Sequence, residues 1–308
     1  MRARLIAAFA AVYIVWGSTY LAIRFAVETL PPLLMAGARF LIAGMILLAW
    51  ARLRSTDSEV PTARDWHSGL VSGGLMLLGG NGAVVWAEQR VPSGITALLV
   101  AIVPLWMVLM DWLRPGGRRP PMLVFVGLGL GLVGLGLLVG PDALHSRGAI
   151  DPVGTAALMF GSLAWAAGSL YTQRAPRAST GLNGSATQML AGGVCLIVAG
   201  MILGEPAHMD LAHATTRSLL GFLYLVSFGS LVGFTAYYYL LSHTTAAKAA
   251  TYAYVNPVVA VLLGWFFAHE PVTHRTLAAA AVILGGVAII TVARDVRAPE
   301  PAVQRAAA

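Results

Sequence analysis

Apolar stretches of about twenty residues recur along the chain, separated by short segments where the charges collect. Ten such stretches stand out, at 5–23, 33–51, 69–86, 94–113, 122–139, 153–171, 185–203, 218–241, 249–268 and 277–293. Each approaches the ~20 residues that a helix needs to cross a bilayer. The pattern predicts an all-α integral membrane protein with ten transmembrane helices. The first stretch follows Arg2 and Arg4 as a signal peptide would, but its apolar run is long and nine more follow, so it reads as a retained helix. Ten spans use about 200 of the 308 residues, which leaves no segment of the ~50 residues or more that a separate soluble domain needs.

Composition agrees with the pattern. Hydrophobic residues make up 58% and charged residues only 11%, against about 25% in soluble domains. The net charge of +7 comes from 20 basic and 13 acidic residues. Placing the N-terminus in the cytoplasm puts Arg2, Arg4, Arg52, Arg54, Arg64, Arg114, Arg118, Arg119, Arg174, Arg177, Lys248, Arg294, Arg297 and Arg305 in inner segments. Arg24, Arg90, Arg147, Arg217 and Arg275 fall outside, so the split is 14 to 5 with Arg39 inside a span. Such a bias sets membrane orientation and predicts both termini inside. The basic excess is thus a topology signal and implies no nucleic-acid partner. The partners expected are the bilayer and a small-molecule substrate, with one chain sufficient as a monomer. Residues 294–308, rich in Ala, Pro and Arg, read as a disordered cytoplasmic tail. Cys195 is the single cysteine, so no disulfide can form within the chain.

The two halves resemble each other. Ala101-Ile102-Val103-Pro104 is followed by Trp112, and Tyr254-Val255-Asn256-Pro257 by Trp265; Pro104 and Pro257 are 153 residues apart, as are Trp112 and Trp265. Trp16-Gly17-Ser18 matches Trp165-Ala166-Ala167-Gly168-Ser169 more loosely. An odd number of spans per repeat requires the second repeat to insert upside down. Inverted repeats of this kind are the architecture of secondary transporters, with the substrate near the midplane between them. The repeats are expected at 1–140 and 141–293.

Several further segments carry a specific resemblance. They are Trp16-Gly17-Ser18-Thr19-Tyr20, Pro31-Pro32 through Ala38-Arg39-Phe40, Gly80-Asn81-Gly82 with Ala87-Glu88, Val91-Pro92-Ser93-Gly94 through Val103-Pro104-Leu105, Ser162-Leu163-Ala164-Trp165, and the run from Tyr252 to Gly264. With these the chain resembles, over nearly its whole length, the EamA-type transporters of the drug/metabolite transporter superfamily, and its YedA-like exporters most closely. The resemblance implies two inverted five-helix repeats around a central cavity in a bacterial inner membrane. It also implies export of metabolites or amino acids, or exchange of sugar phosphates or nucleotide sugars.

The candidate site residues are polar or helix-breaking groups at midspan. Pro104 and Pro257 free backbone carbonyls that must find a partner or face a cavity, which makes them candidate hinges; passive kinks are the alternative. Tyr13, Trp16 and Tyr20 share one helical face, Tyr252 and Asn256 share another, and Trp165 lies with Ser162 and Ser169. The polar handles of Trp16, Tyr20, Trp165 and Tyr252 demand a protein interior or a wet cavity. Asn81 and Asn256 either bind substrate or tie helices together. Arg39 inside a span needs a partner, and Glu88, on the same side of the membrane, is the expected one. The pair is read either as structural, with Arg39 snorkelling as a variant, or as an anchor for a substrate carboxylate or phosphate.

Two signals are declined. Gly129-Leu130-Gly131-Leu132-Val133-Gly134 matches a dinucleotide fingerprint but lies inside an apolar span with no strand before it. Gly127, Gly131 and Gly134 read instead as a small-residue stripe for helix packing, and no cofactor is expected. The seven histidines form no two-ligand motif, so no metal is expected.

The function expected is therefore a secondary carrier, not an enzyme, that exports amino acids or similar neutral, zwitterionic or aromatic solutes by alternating access. The runner-up is an exchanger of phosphorylated sugars or nucleotide sugars, whose cavity should hold several basic residues where this one offers Arg39 alone. An intramembrane enzyme would need a nucleophile and a base at matched depth, and Ser162 has no midspan His beside it.

Overall fold

The computed structural model describes residues 2–54, 60–91, 96, 99–117, 119–145, 151–175, 181–259 and 273–295. The expectations for the tail beyond 295 and for Trp265 lie outside the described residues.

Among those residues the secondary structure is helical throughout. The first half contains α1 (Arg2–Ala26), α2 (Pro32–Arg54), α3 (Ala63–Ala87), α4 (Val103–Leu113) and α5 (Met122–His145). The second contains α6 (Pro152–Arg174), α7 (Gly181–Ile202), α8 (Thr216–His243), α9 (252–259) and α10 (His274–Asp295). Six of these, α1, α2, α3, α6, α7 and α8, are long and apolar enough to cross a membrane; α4, α5 and α10 contain shorter apolar helices.

Helix ends are closed by side chains, as a bilayer requires of every backbone polar group near it. Thr62 and Asp65 form a reciprocal capping box, so α3 begins six residues before its apolar run. Asp151 accepts from the Val153 and Gly154 amides with Pro152 in the first turn of α6. Thr215 accepts from the Ser218 amide at the start of α8. The cap of α2 comes from far along the chain. Glu205, just after α7, accepts from the Leu33 amide at 3.0 Å and the Leu34 amide at 2.8 Å. Glu205→Ala leaves two helix-terminal donors without an acceptor, so a loss of about 1–2 kcal/mol is expected. It should appear as an earlier thermal melt of the purified protein, with Glu205→Gln intermediate; an unchanged melt in Glu205→Ala would refute the cap's contribution.

Packing carries the internal repeat. α2 runs along α7, and α5 along α10. α1 packs on α8, and its counterpart α6 packs on α3; α3 also packs on α7, as α8 does on α2. Replacing each helix by the one five places on leaves these neighbours unchanged, which is the signature of a two-fold-related pair of repeats. The glycine stripe of α5 holds the α5–α10 contact. A Cβ on Gly127 would fall 2.8 Å from the Gly286 carbonyl oxygen, and one on Gly134 2.6 Å from Ile283 Cγ1.

Two of the predicted spans are interrupted. In the fourth, a turn at Ala101-Ile102 precedes α4, and Pro104 sits in the first turn of that helix, where its missing N–H costs nothing. In the ninth, the turn Ala250-Thr251 separates the single turn Ala246–Ala249 from α9, and Pro257 lies inside α9. Pro104 thus follows its break directly, whereas Pro257 stands six residues beyond the other.

Candidate functional site

α3 and α8 each change winding at midspan. Gly74–Gly82 in α3 and Leu225–Phe234 in α8 are π-helical. π segments are rare, widen the coil, and recur at functional sites. These two belong to counterpart helices, and each opens a gap in its wall where a tryptophan of the other repeat enters. A Cβ on Gly80 would lie 2.8 Å from Trp165 Cε3, and one on Gly233 would overlap Trp16 Nε1. Gly80 and Gly233 are 153 residues apart, the same interval that separates the two prolines. Neither position can carry a side chain while the indoles keep their places.

The two indoles meet at the centre of the bundle. Trp16 and Trp165 have ring centroids 5.6 Å apart, edge to face. Trp16 also meets Tyr252 at 4.7 Å, Tyr237 at 5.0 Å and Phe234 at 5.1 Å. Its Nε1 donates to the Gly229 carbonyl at 3.1 Å, inside the π segment of α8. Five rings from α1, α6, α8 and α9 therefore form one cluster. Trp16, Trp165 and Tyr252 are among the residues singled out in the sequence; Phe234 and Tyr237 are not. The one sequence signal for the latter pair is the run of aromatic residues that follows the glycines of α8, and it lies outside the stretch that carries the repeat.

Beside the cluster is a cavity with room for the centres of several water molecules, about 70 Å³. Its lining includes Trp16, Tyr20, Arg39, Asn81, Trp165, Tyr252 and Asn256. The structure thus brings all six candidate binding residues and Arg39 to one place. Glu88, Pro104 and Pro257 are not in the lining; Val100 and Val103 stand where the broken fourth span reaches it. From the ring cluster the lining extends through Ile23 and Val84, toward the end of the bundle where α1 and α3 finish.

Side-chain contacts tie the helices together toward the opposite end. Tyr13 Oη and Thr251 Oγ1 share a hydrogen bond of 2.6 Å, and Ser169 Oγ and Tyr237 Oη one of 3.0 Å. Gln173 Nε2 donates to the Thr244 carbonyl at 2.7 Å, and Arg174 pairs with Asp111. All of these lie between the start of α1 and the ends of α6 and α8. Asn256, with its amide nitrogen turned toward the backbone, donates to the Tyr252 carbonyl at 3.0 Å and the Tyr13 carbonyl at 3.2 Å, and so ties α9 to α1.

Arg39 is 2% exposed. Its Nη2 donates to Asn81 Oδ1 at 3.3 Å, and its guanidinium lies 4.3 Å from the Phe40 ring centroid. The expected contact with Glu88 is not formed. Glu88 is close enough to influence Arg39 electrostatically, yet both its carboxylate oxygens are buried with no hydrogen-bond partner. Arg39 is level with Asn81, and Glu88 caps the end of α3 two helical turns later, about 10 Å further along its axis.

The sequence profile of the EamA-like transporter family matches residues 3–140 and again 153–292. An Escherichia coli K12 protein named as an uncharacterized inner membrane transporter, YedA, is 41% identical over 303 residues, covering 97% of this chain and 94% of its own. The Bacillus subtilis protein named as an uncharacterized transporter, YvbV, is 27% identical over 278 residues, covering 90% of this chain and 88% of its own. A solved crystal structure shares the fold, with a TM-score of 0.76 at 20% identity over 97% of this chain and 100% of that one. Two matches to one profile, laid on halves that pack as counterparts around a shared cavity, make this chain a member of the EamA-like transporter family.

Proposed function

We propose that the protein is a secondary carrier that exports small organic solutes by alternating access. In this reading ten membrane-spanning helices form two inverted repeats, divided near residue 140, with both termini in the cytoplasm. The observation that carries the reading is the central cavity. Both repeats build it, each repeat's tryptophan rests on a glycine of the other's π segment, and hydrogen bonds tie the helices together toward one end while the lining reaches toward the other. A second state with the opposite end tied together needs only the repeats to exchange roles. Single-chain enclosure of the cavity makes a monomer sufficient.

The aromatic walls favour solutes with apolar or aromatic bodies. A sugar-phosphate exchanger is less well supported, because among the described residues Arg39 is the single basic one in the cavity lining.

Counterflow in proteoliposomes tests the carrier reading. Vesicles preloaded with an unlabelled solute should transiently accumulate the labelled solute above its outside concentration. A carrier does this by exchanging occupied sites; a pore only equilibrates. Screening should start from metabolites that differ between overexpressing and deletion cells. Equilibration without overshoot would discard the carrier in favour of a channel.

A further inference from the structure

The guanidinium of Arg39 has more donors than the protein fills. Nη2 reaches Asn81 Oδ1, but Nε and Nη1 are buried with no acceptor. Guanidinium has five N–H groups in a planar fork, and Asn81 uses one hydrogen of Nη2. A complete two-donor edge is therefore left over. The Phe40 ring engages the cation without occupying that edge. Among the described residues no carboxylate comes within 4.0 Å of Arg39; the ion pairs there join other residues. Snorkelling does not account for its position either, since the side chain is buried and lines the cavity instead of reaching an interface.

An unfilled planar fork inside a cavity matches a planar, two-oxygen anion. The rings of Trp16, Trp165 and Tyr252 form much of the remaining wall, and among the described residues the lining contains no second basic residue. A carboxylate presents two coplanar oxygens to that edge and one negative charge, whereas a phosphate monoester brings up to about two charges to the one guanidinium. We propose that Arg39 is the anchor for the carboxylate of the transported solute, and that the solutes taken are monoanionic carboxylates with a flat apolar body. This rests on the carrier reading and narrows its substrate class. Asn81 is the positioning residue: its Oδ1 accepts from Nη2 and so fixes the guanidinium where Arg39 lines the cavity.

The test uses purified full-length protein and thermal-shift titration with three probes of one shape: 3-phenylpropionate, its neutral amide, and phenyl phosphate. The acid should bind about tenfold more tightly than the amide, as expected for a charge-assisted hydrogen-bond pair. Arg39→Gln should abolish that preference, so that acid and amide bind with equal affinity. Asn81→Asp places an internal carboxylate against Arg39, so it should lose the same preference even if Arg39→Gln fails to fold. Equal affinity for acid and amide in the unmodified protein overturns the proposal, as does a preference for phenyl phosphate. Failure of all three probes to bind at millimolar concentration overturns it too, and so does a retained acid preference in Asn81→Asp. Counterflow separates this proposal from the carrier reading. Counterflow of a neutral solute that persists in Arg39→Gln leaves the carrier standing with the anchor refuted whenever the acid preference also survives. Acid binding without any counterflow does the reverse.

Discussion

Trp16→Ala should lower both transport and the melting temperature of the purified protein. From its midspan position alone, a cavity-facing tryptophan is expected to have few packing partners, so its loss should weaken binding and leave the bundle intact. The structure assigns it both roles. Trp16 lines the cavity, yet it is 7% exposed, touches four other rings and donates to the Gly229 carbonyl. Truncation to Ala removes most of those contacts and leaves a void that the π segment around Gly233 cannot fill. Comparable large-to-small changes cost about 3–5 kcal/mol. Trp16→Phe keeps a ring in place and loses the Gly229 hydrogen bond, a cost of about 0.5–1.5 kcal/mol. Melting curves in detergent should therefore rank wild type, Phe and Ala in that order, with counterflow reduced in both variants. A Trp16→Ala protein that melts with the wild type would show that the ring cluster contributes nothing to stability and would restore the simpler cavity-wall account.

The second large effect is expected where α5 packs on α9 and α10, and it is selective by position. Gly127→Leu, Gly131→Leu and Gly134→Leu should each prevent recovery of folded protein, while Gly129→Leu and Gly136→Leu should be recovered normally. A Cβ at 127 meets the Gly286 carbonyl oxygen at 2.8 Å, at 131 the Tyr254 ring at 2.9 Å, and at 134 Ile283 Cγ1 at 2.6 Å. At 129 and 136 it meets nothing within 4 Å. Overpacking a tight core costs about 1–3 kcal/mol, and more where the obstacle is backbone, as at Gly127. Within lipid, helices separated by a bulky side chain gain little hydrophobic pull to bring them back, because lipid tails are as apolar as Leu. Gly129 and Gly136 carry no such penalty, and replacing glycine in a helix interior gains up to about 1 kcal/mol. Size-exclusion profiles of the five variants decide the matter. Aggregation of Gly129→Leu alongside Gly131→Leu would mean that the glycines act through backbone flexibility and not through close contact.

This contrast also shows what the sequence makes visible. The stripe at 127, 131 and 134 is legible because it is a local pattern of small residues on one helical face, and local patterns survive folding. The two tryptophans are legible through the repeat. The partner of Arg39 is not. Residues 81 and 88 fall on one face of α3, and the charge rule selects Glu88, whereas the level at which α2 meets α3 selects Asn81. That level is fixed by the packing of α2 against α7, which no pairwise reading of residues 39 and 88 contains. The breaks in the fourth and ninth spans have the same character. Proline marks the neighbourhood, but the turns fall at Ala101-Ile102 and Ala250-Thr251, where tertiary contacts permit them. Phe234 and Tyr237 escape notice because the register of α8 beyond its π segment cannot be counted at a constant 3.6 residues per turn.

A hydropathy window counts residues, but a bilayer is measured in ångströms. At the α-helical rise, the 28 residues of α8 would extend about 42 Å, well past a hydrocarbon core of about 30 Å. The 25 residues of α3 would overshoot as well. A π segment spends more residues on each turn and advances less with each one, so these two helices are shorter rods than their sequences suggest. The surplus is taken up as girth at mid-membrane. The chain thus trades length for width at the depth where a solute must pass, and it makes the same trade once in each repeat.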